Sequence, residues 1–251
     1  MFPWYQAVRR RSQWFLIIAI GLAMAGPLAA QEDNRQDQPL APLVAQMSKK
    51  WPQNRSVRIV FHGHSVPAGY FRTPRVQTFD SYPSLVHRGL AERFPTAVIN
   101  VEVTAIGGEE SQRGAARFAE DVLSLKPDLV FIDYGLNDRR LGLETAAESW
   151  KSMIGSCQKG DIPVVLLTPT PDQREDILDD ETPLAAHAQQ IRQLADEHKL
   201  LLVDSYAQFQ KLAQDGKQIA DYMSQVNHPN RAGHEEVARL ILELFPAPAQ
   251  E

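Results

Sequence analysis

The chain has a single cysteine, Cys157, so it can neither close an intramolecular disulfide nor build a cysteine-rich zinc site. That thiol follows an amphipathic stretch with no activating base beside it, and it reads as structural. Positive charge is also scarce: 26 Lys and Arg against 31 Asp and Glu leave a net charge of -5. This argues against nucleic acid or an anionic membrane surface as a partner. No apolar run reaches the roughly 20 residues that a membrane-spanning helix needs. None of the seven histidines pairs at His-x-x-x-His spacing, so Asp133, Asp138, His228 and His234 suggest a metal site only by composition, and none is expected. Internal repeats and low-complexity tracts are missing as well.

What the sequence does contain begins with an export signal. Arg9, Arg10 and Arg11 precede an apolar run from Trp14 to Ala25, and the small residues Ala29 and Ala30 follow. A basic start, an apolar segment of about 7–15 residues and a small-residue cleavage site together describe a secretory signal peptide. Residues 1–30 are therefore expected to be removed on export, which implies a periplasmic or secreted protein without stable membrane insertion after cleavage. Residues 31–54 are polar and rich in Pro, Gln and Asp, with a short amphipathic patch from Leu43 to Met47. They are expected to form a linker.

Residues 55–247 alternate strand-length and helix-length patterns. Val57–Phe61, Val98–Ala105, Asp128–Tyr134, Pro163–Thr168 and Leu200–Asp204 are aliphatic or β-branched runs. Between them lie Tyr82–Arg93, Ser111–Leu125, Glu144–Cys157 and Leu184–His198, with apolar residues recurring at three and four, and a last helix spans Gly233–Phe245. Such alternation predicts a three-layer α/β/α sandwich around a five-stranded, mostly parallel sheet. Ligands of such sheets bind beyond the carboxyl ends of the strands.

The loops at those ends carry chemistry. Strand one runs into His62-Gly63-His64-Ser65-Val66-Pro67-Ala68-Gly69, a serine flanked by glycines where an exposed nucleophile belongs, although a turn or cap explains it equally. Strand two ends in Gly107-Gly108-Glu109. Strand three ends in Gly135-Leu136-Asn137-Asp138, whose asparagine could donate to an oxyanion or cap a helix. Before the last helix stands His228-Pro229-Asn230, with Pro229 stiffening the backbone at the histidine and Asn230 suited to cap the helix. His234 falls inside that helix and reads as packing.

In this order, the blocks Gly-x-Ser-x-x-x-Gly, Gly-Gly, Gly-x-Asn-Asp and His-Pro-Asn-x-x-Gly-His resemble the SGNH (GDSL-like) hydrolases from about Val57 to Phe245. The resemblance implies a flavodoxin-like sheet and a serine esterase that needs no cofactor. By it Ser65 is the nucleophile, His228 the base, and the Ser65 N–H, Gly108 N–H and Asn137 side chain the oxyanion donors. Gly108 is preferred to Gly107 because the family's glycine precedes an acidic residue and a Ser-x-x-Gly-x-x-Arg helix start, here Ser111 to Arg117.

Two positions depart from the family. His64 replaces the aspartate of Gly-Asp-Ser; adjacent residues leaving a strand point to opposite sides, so His64 is expected to be structural or to contact substrate rather than to serve as base. Gln225 stands where the family places the aspartate that orients the histidine. A dyad oriented by Gln225 or a backbone carbonyl, a carboxylate from elsewhere (Asp172 or Asp221), and a crippled site all remain open. Polar, proline-rich loops at 66–78 and 170–183, with Arg72, Arg75, Arg139 and Arg140, suit an anionic or sugar-like ligand. The expected substrate is a short-chain, acetyl ester of a carbohydrate, small or polymeric. The alternatives are a lipase or lysophospholipase of the same family, a non-catalytic carbohydrate-binding module and, disfavoured by the lack of a phosphate-cradling glycine loop, a flavin or nucleotide binder.

Overall fold

The computed structural model describes residues 39–247; the expected signal peptide of residues 1–30 and the first part of the expected linker lie outside the described residues. In chain order the elements are α1 (Ala41–Met47), β1 (Ser56–Gly63), α2 (Tyr82–Arg93), β2 (Val98–Val103), α3 (Ser111–Asp121), β3 (Leu129–Asp133), α4 (Gly135–Asp138), α5 (Leu143–Lys159), β4 (Val164–Leu167), α6 (Pro183–His198), β5 (Leu201–Val203), α7 (Ser205–Gln214), β6 (Met223–Gln225), β7 (His228–Pro229) and α8 (Arg231–Glu243). The first five strands form one parallel sheet in the order β2-β1-β3-β4-β5, and β6 pairs with β7 in a small antiparallel ribbon. Among the described residues, no helix is long and apolar enough to cross a membrane.

Strand periodicity of two builds the three layers. Val57, Ile59 and Phe61 of β1, Leu129 and Phe131 of β3, and Val165 and Leu167 of β4 face one core, shared with α1, α2, α7 and α8. Val60, Val130, Ile132, Val164 and Leu166 face the other, shared with α3, α5 and α6. In register across β1 and β3, the Phe61 and Phe131 rings stack at 4.5 Å. Each such fully buried side chain contributes about 1.5–3 kcal/mol. Cys157 belongs to the second core, fully buried, and burial pushes its thiol up to about 12.

The structure corrects the linker expectation in part. Leu43 and Met47 of α1, with Leu40 before it, are buried against the first core. Their three- and four-residue spacing forms an apolar stripe, so residues 40–47 belong to the domain rather than lead to it.

Candidate active site

All four loops of interest open on the edge of the sheet where the parallel strands end. β1 and β3 approach so closely there that a Cβ on Gly63 would lie 2.3 Å from the Asp133 carbonyl oxygen; only glycine fits. The chain then turns through His64 and Ser65, with Gly69 N–H donating to the Val66 carbonyl and Tyr70 N–H to that of Ser65. Ser65 and His228 are both nearly buried, and His228 Nε2 lies 2.9 Å from Ser65 Oγ across 163 residues of sequence. His228 is carried by the β6–β7 ribbon, and Asn230 caps α8 behind it through its side-chain oxygen, which accepts from Gly233 N–H.

The other ring nitrogen has two neighbours. The Phe71 carbonyl lies 3.2 Å from Nδ1, and the Gln225 amide nitrogen lies 2.7 Å from it. Gln225 Oε1 accepts from Thr73 N–H at 3.0 Å, which fixes which way the amide faces. Burial lowers the His228 pKa, the Phe71 carbonyl partly offsetting it. Phe71 and Thr73 belong to a hairpin-like loop closed by the Tyr70–Val76 bridge. It docks on the ribbon through Arg72 Nε to the Ser224 carbonyl and Ser224 Oγ to the Phe71 carbonyl.

On the far side of Ser65, Gly108 has φ +76° and open space about its α-carbon. Its N–H and that of Ser65 have no acceptor among the described residues. One amide hydrogen of Asn137 goes to the Glu109 carbonyl at 2.9 Å, leaving the other free. Glu109 is itself buried: Arg117 forks onto its carboxylate and Tyr134 donates to it at 2.9 Å. Tyr134 also meets His62 Nε2 at 3.0 Å, and His62 Nδ1 lies 2.8 Å from Thr104 Oγ1. Burial, then the Arg117 charge, hold His62 down to about 4, so it sits neutral in this network. Asp138 accepts from Ser111 N–H and Trp150 Nε1, both at 2.7 Å, and so orders the loop.

Three expectations change. His64 is only 1% exposed, with Nδ1 accepting from Val66 N–H and Nε2 3.3 Å from Asp133, so it supports the turn from below and does not face substrate. Asp172 is gripped by Arg174 and Arg139; against the opposing effect of burial these hold it down to about 2, and it makes no contact with His228. Asp221 is exposed on a 3-10 turn, where its backbone carbonyl accepts from Asn230. Neither carboxylate orients the histidine. Arg139, expected to bind substrate, is bound to Asp172 and Glu175 but still lines a cleft of about 510 Å³ with Asn137, Arg140, Arg174 and Asn227. The sequence offered no signal for the Phe71 carbonyl, because any residue type can supply one. Glu109 and Arg117 were visible only as a family pattern, not as a clamp.

A serine hydroxyl against an imidazole, with free donors alongside, can pass a proton and receive an oxyanion. No curated protein matches the chain in sequence. Among solved structures, an acetylxylan esterase from Geobacillus stearothermophilus superposes with a TM-score of 0.65 and 23% identity, over 75% of this chain and 94% of that one. Structures of that enzyme include catalytic mutants at a serine, a histidine and an aspartate; the serine mutant gives a TM-score of 0.66 at 22% identity, over 76% of this chain and 95% of the other. A two-domain esterase active on acetylated mannans gives 0.69 at 21%, over 85% of this chain and 55% of its own. These likenesses carry the fold. The sequence profile of the GDSL-like Lipase/Acylhydrolase family runs through residues 61–236, from the strand before Ser65 into the helix behind His228, and the chain is a member of that family of ester hydrolases.

Proposed function

We propose that this chain is an exported serine esterase that removes short acyl groups, acetyl above all, from a carbohydrate. The observation that carries the chemistry is the 2.9 Å approach of His228 Nε2 to Ser65 Oγ at the strand ends. Ser65 Oγ attacks the ester carbonyl while His228 Nε2 takes its proton. The oxyanion is held by the Ser65 and Gly108 N–H groups and the free amide hydrogen of Asn137. His228 then protonates the departing alcohol, and water releases the acyl group by the reverse roles. For this cycle Nε2 must be the unprotonated nitrogen, so Nδ1 must carry the proton, and the Phe71 carbonyl is its acceptor. No cofactor takes part.

The carbohydrate rests on the polar, arginine-lined cleft beside Asn137 and on the acetylated polysaccharides named for the structural neighbours. Export rests on the N-terminal pattern alone. Recovery of the chain from the cytosol alone, with Met1 as its first residue and none in periplasm or medium, would contradict it.

The test of the chemistry is hydrolysis of p-nitrophenyl acetate by the full chain and by Ser65→Ala. Loss of about 10⁴-fold or more in the variant is expected. Equal rates would sink the assignment. The Gln225 amide at Nδ1 favours a second reading, a carbohydrate-binding protein on a disabled site. Inactivity of both proteins on acetyl esters, with retained binding of polysaccharide, would establish it.

A further inference from the structure

We infer that Tyr70 is the wall that limits the acyl group, so that the acyl chain seats against its ring while the alcohol lies in the cleft beside Asn137. The inference rests on the esterase reading above and adds which surface receives which half of the ester.

Tyr70 is fixed where such a wall must stand. Its N–H donates to the Ser65 carbonyl at 3.0 Å, its backbone bridges Val76, and the Gln77 N–H closes the loop onto Gly69 at 2.8 Å. From this base the half-buried ring reaches both the base and the oxyanion loop. Its centroid is 5.9 Å from that of His228, and a Cβ on Gly107 would come within 2.8 Å of Cζ. Gly107 thus lets the ring press against the backbone next to Gly108, and the ring cannot swing further in that direction. Its hydroxyl, which lies against Gly107, has no hydrogen-bond partner among the described residues.

The space reached through Asn137, which lines no part of the Tyr70 ring's surroundings, differs in chemistry. There the cleft of about 510 Å³ lies between Asn137, Arg140, Arg174 and Asn227, within the range of about 300–1,000 Å³ common for ligand sites. Arg139 and Arg174 are paired with Asp172 and Glu175, while Arg140 bonds the Gly108 carbonyl. An alkyl chain laid across these groups would strip water from charges and return nothing, whereas the hydroxyls of a sugar could replace that water. The aromatic surface of Tyr70 therefore takes the acyl group and the charged cleft the alcohol. A wall set this close to the base admits acetyl readily and longer chains poorly.

The experiment measures kcat/KM for p-nitrophenyl acetate, butyrate and octanoate with the full chain, Tyr70→Ala, Tyr70→Phe and Ser65→Ala. The wild type should prefer acetate. In Tyr70→Ala the octanoate-to-acetate ratio should rise about tenfold or more, since single methylenes in a fitted pocket are worth about that much; Tyr70→Phe should keep the wild-type ratio. A ratio unchanged in Tyr70→Ala overturns the inference. So does a variant whose selectivity changes with the alcohol, scored on acetyl esters of mono- and oligosaccharides, and not with the acyl chain. If Tyr70→Ala does not fold, Tyr70→Leu and the wild-type profile decide: a wild type that prefers octanoate rules the wall out. Absence of any Ser65-dependent hydrolysis would remove the esterase itself, an outcome distinct from an active enzyme with an unmoved profile.

Discussion

His228 Nδ1 sits between two groups that ask for opposite tautomers. The Phe71 carbonyl can only accept and so favours Nδ1–H, the form in which Nε2 is free to take the serine proton. The Gln225 amide nitrogen can only donate, and at 2.7 Å it favours a bare Nδ1 and an Nε2–H that points at Ser65. Thr73 N–H on Oε1 keeps the amide from turning over. Gln225→Glu is nearly isosteric and exchanges that donor for a carboxylate oxygen, which accepts Nδ1–H and stabilises the imidazolium by charge. We expect kcat/KM on p-nitrophenyl acetate to rise about tenfold or more. The sign of the pH effect follows as well. The base works unprotonated, and burial lowers its pKa, so the wild type should keep activity below pH 6.5; the new carboxylate raises that pKa and moves the acid limb of the profile to higher pH. A variant with the wild-type rate and profile would mean that the Phe71 carbonyl alone sets the tautomer.

Between the residues and the whole stands the stretch from β2 to α3, which presents Gly108. It is held by a buried carboxylate: Glu109, forked by Arg117 and capped by Tyr134, carries the carbonyl to which Asn137 donates. Two of the three oxyanion donors, Gly108 and Asn137, therefore hang on one clamp. Glu109→Ala removes one of the two carboxylates of the half-buried Arg117, Asp121 remaining at 2.7 Å, and should cost about 1–3 kcal/mol of stability, read by denaturant titration. Below its unfolding temperature the variant should also lose kcat far more than KM, because a loosened hole is felt mainly in the transition state. A stability loss with kcat intact would make the clamp purely structural. At this scale the sequence was legible for most elements with enough residues to show a period. The five sheet strands and α2, α3, α5, α6 and α8 could be read from alternation or three-four spacing. The β6–β7 ribbon could not, since strands of three and two residues have no period. Tyr206, Phe209 and Ala213 of α7 do carry a helical spacing, but the helix follows a three-residue strand closely and was not anticipated. Ser65, Gly108, Asn137 and His228 stood out because their residue types and order carry the chemistry. The hairpin that supports His228 acts through backbone groups, which leave no mark in a sequence.

The molecule as a whole buries neutral histidines in both of its cores and beside its cleft. Burial holds His234, under α2, to about 3; burial and then Arg117 hold His62 to about 4; burial and then Arg139 hold His187 to about 4. Each of these values is below the 6.5 of an unfolded histidine. Their stabilisation is thus fully present above pH 6.5 and is lost as pH falls toward 4 and 3, because the unfolded chain takes up protons that the folded chain refuses. Asp138, whose pKa burial raises, acts in the opposite sense, but one carboxyl does not cancel three imidazoles. Asp172, held to about 2, adds its own loss only below pH 3.8. Unfolding free energy from urea titrations should therefore decline between pH 6.5 and 4 by an amount on the order of a few kcal/mol. Because α2 meets His234 through the Tyr82 N–H, which donates to His234 Nδ1 at 3.2 Å, His234→Gln keeps an acceptor within reach and removes one titrating group. Its decline with acid should be shallower than that of the wild type by close to one proton in the slope; an unchanged slope would show that His234 does not contribute to the acid lability of the fold.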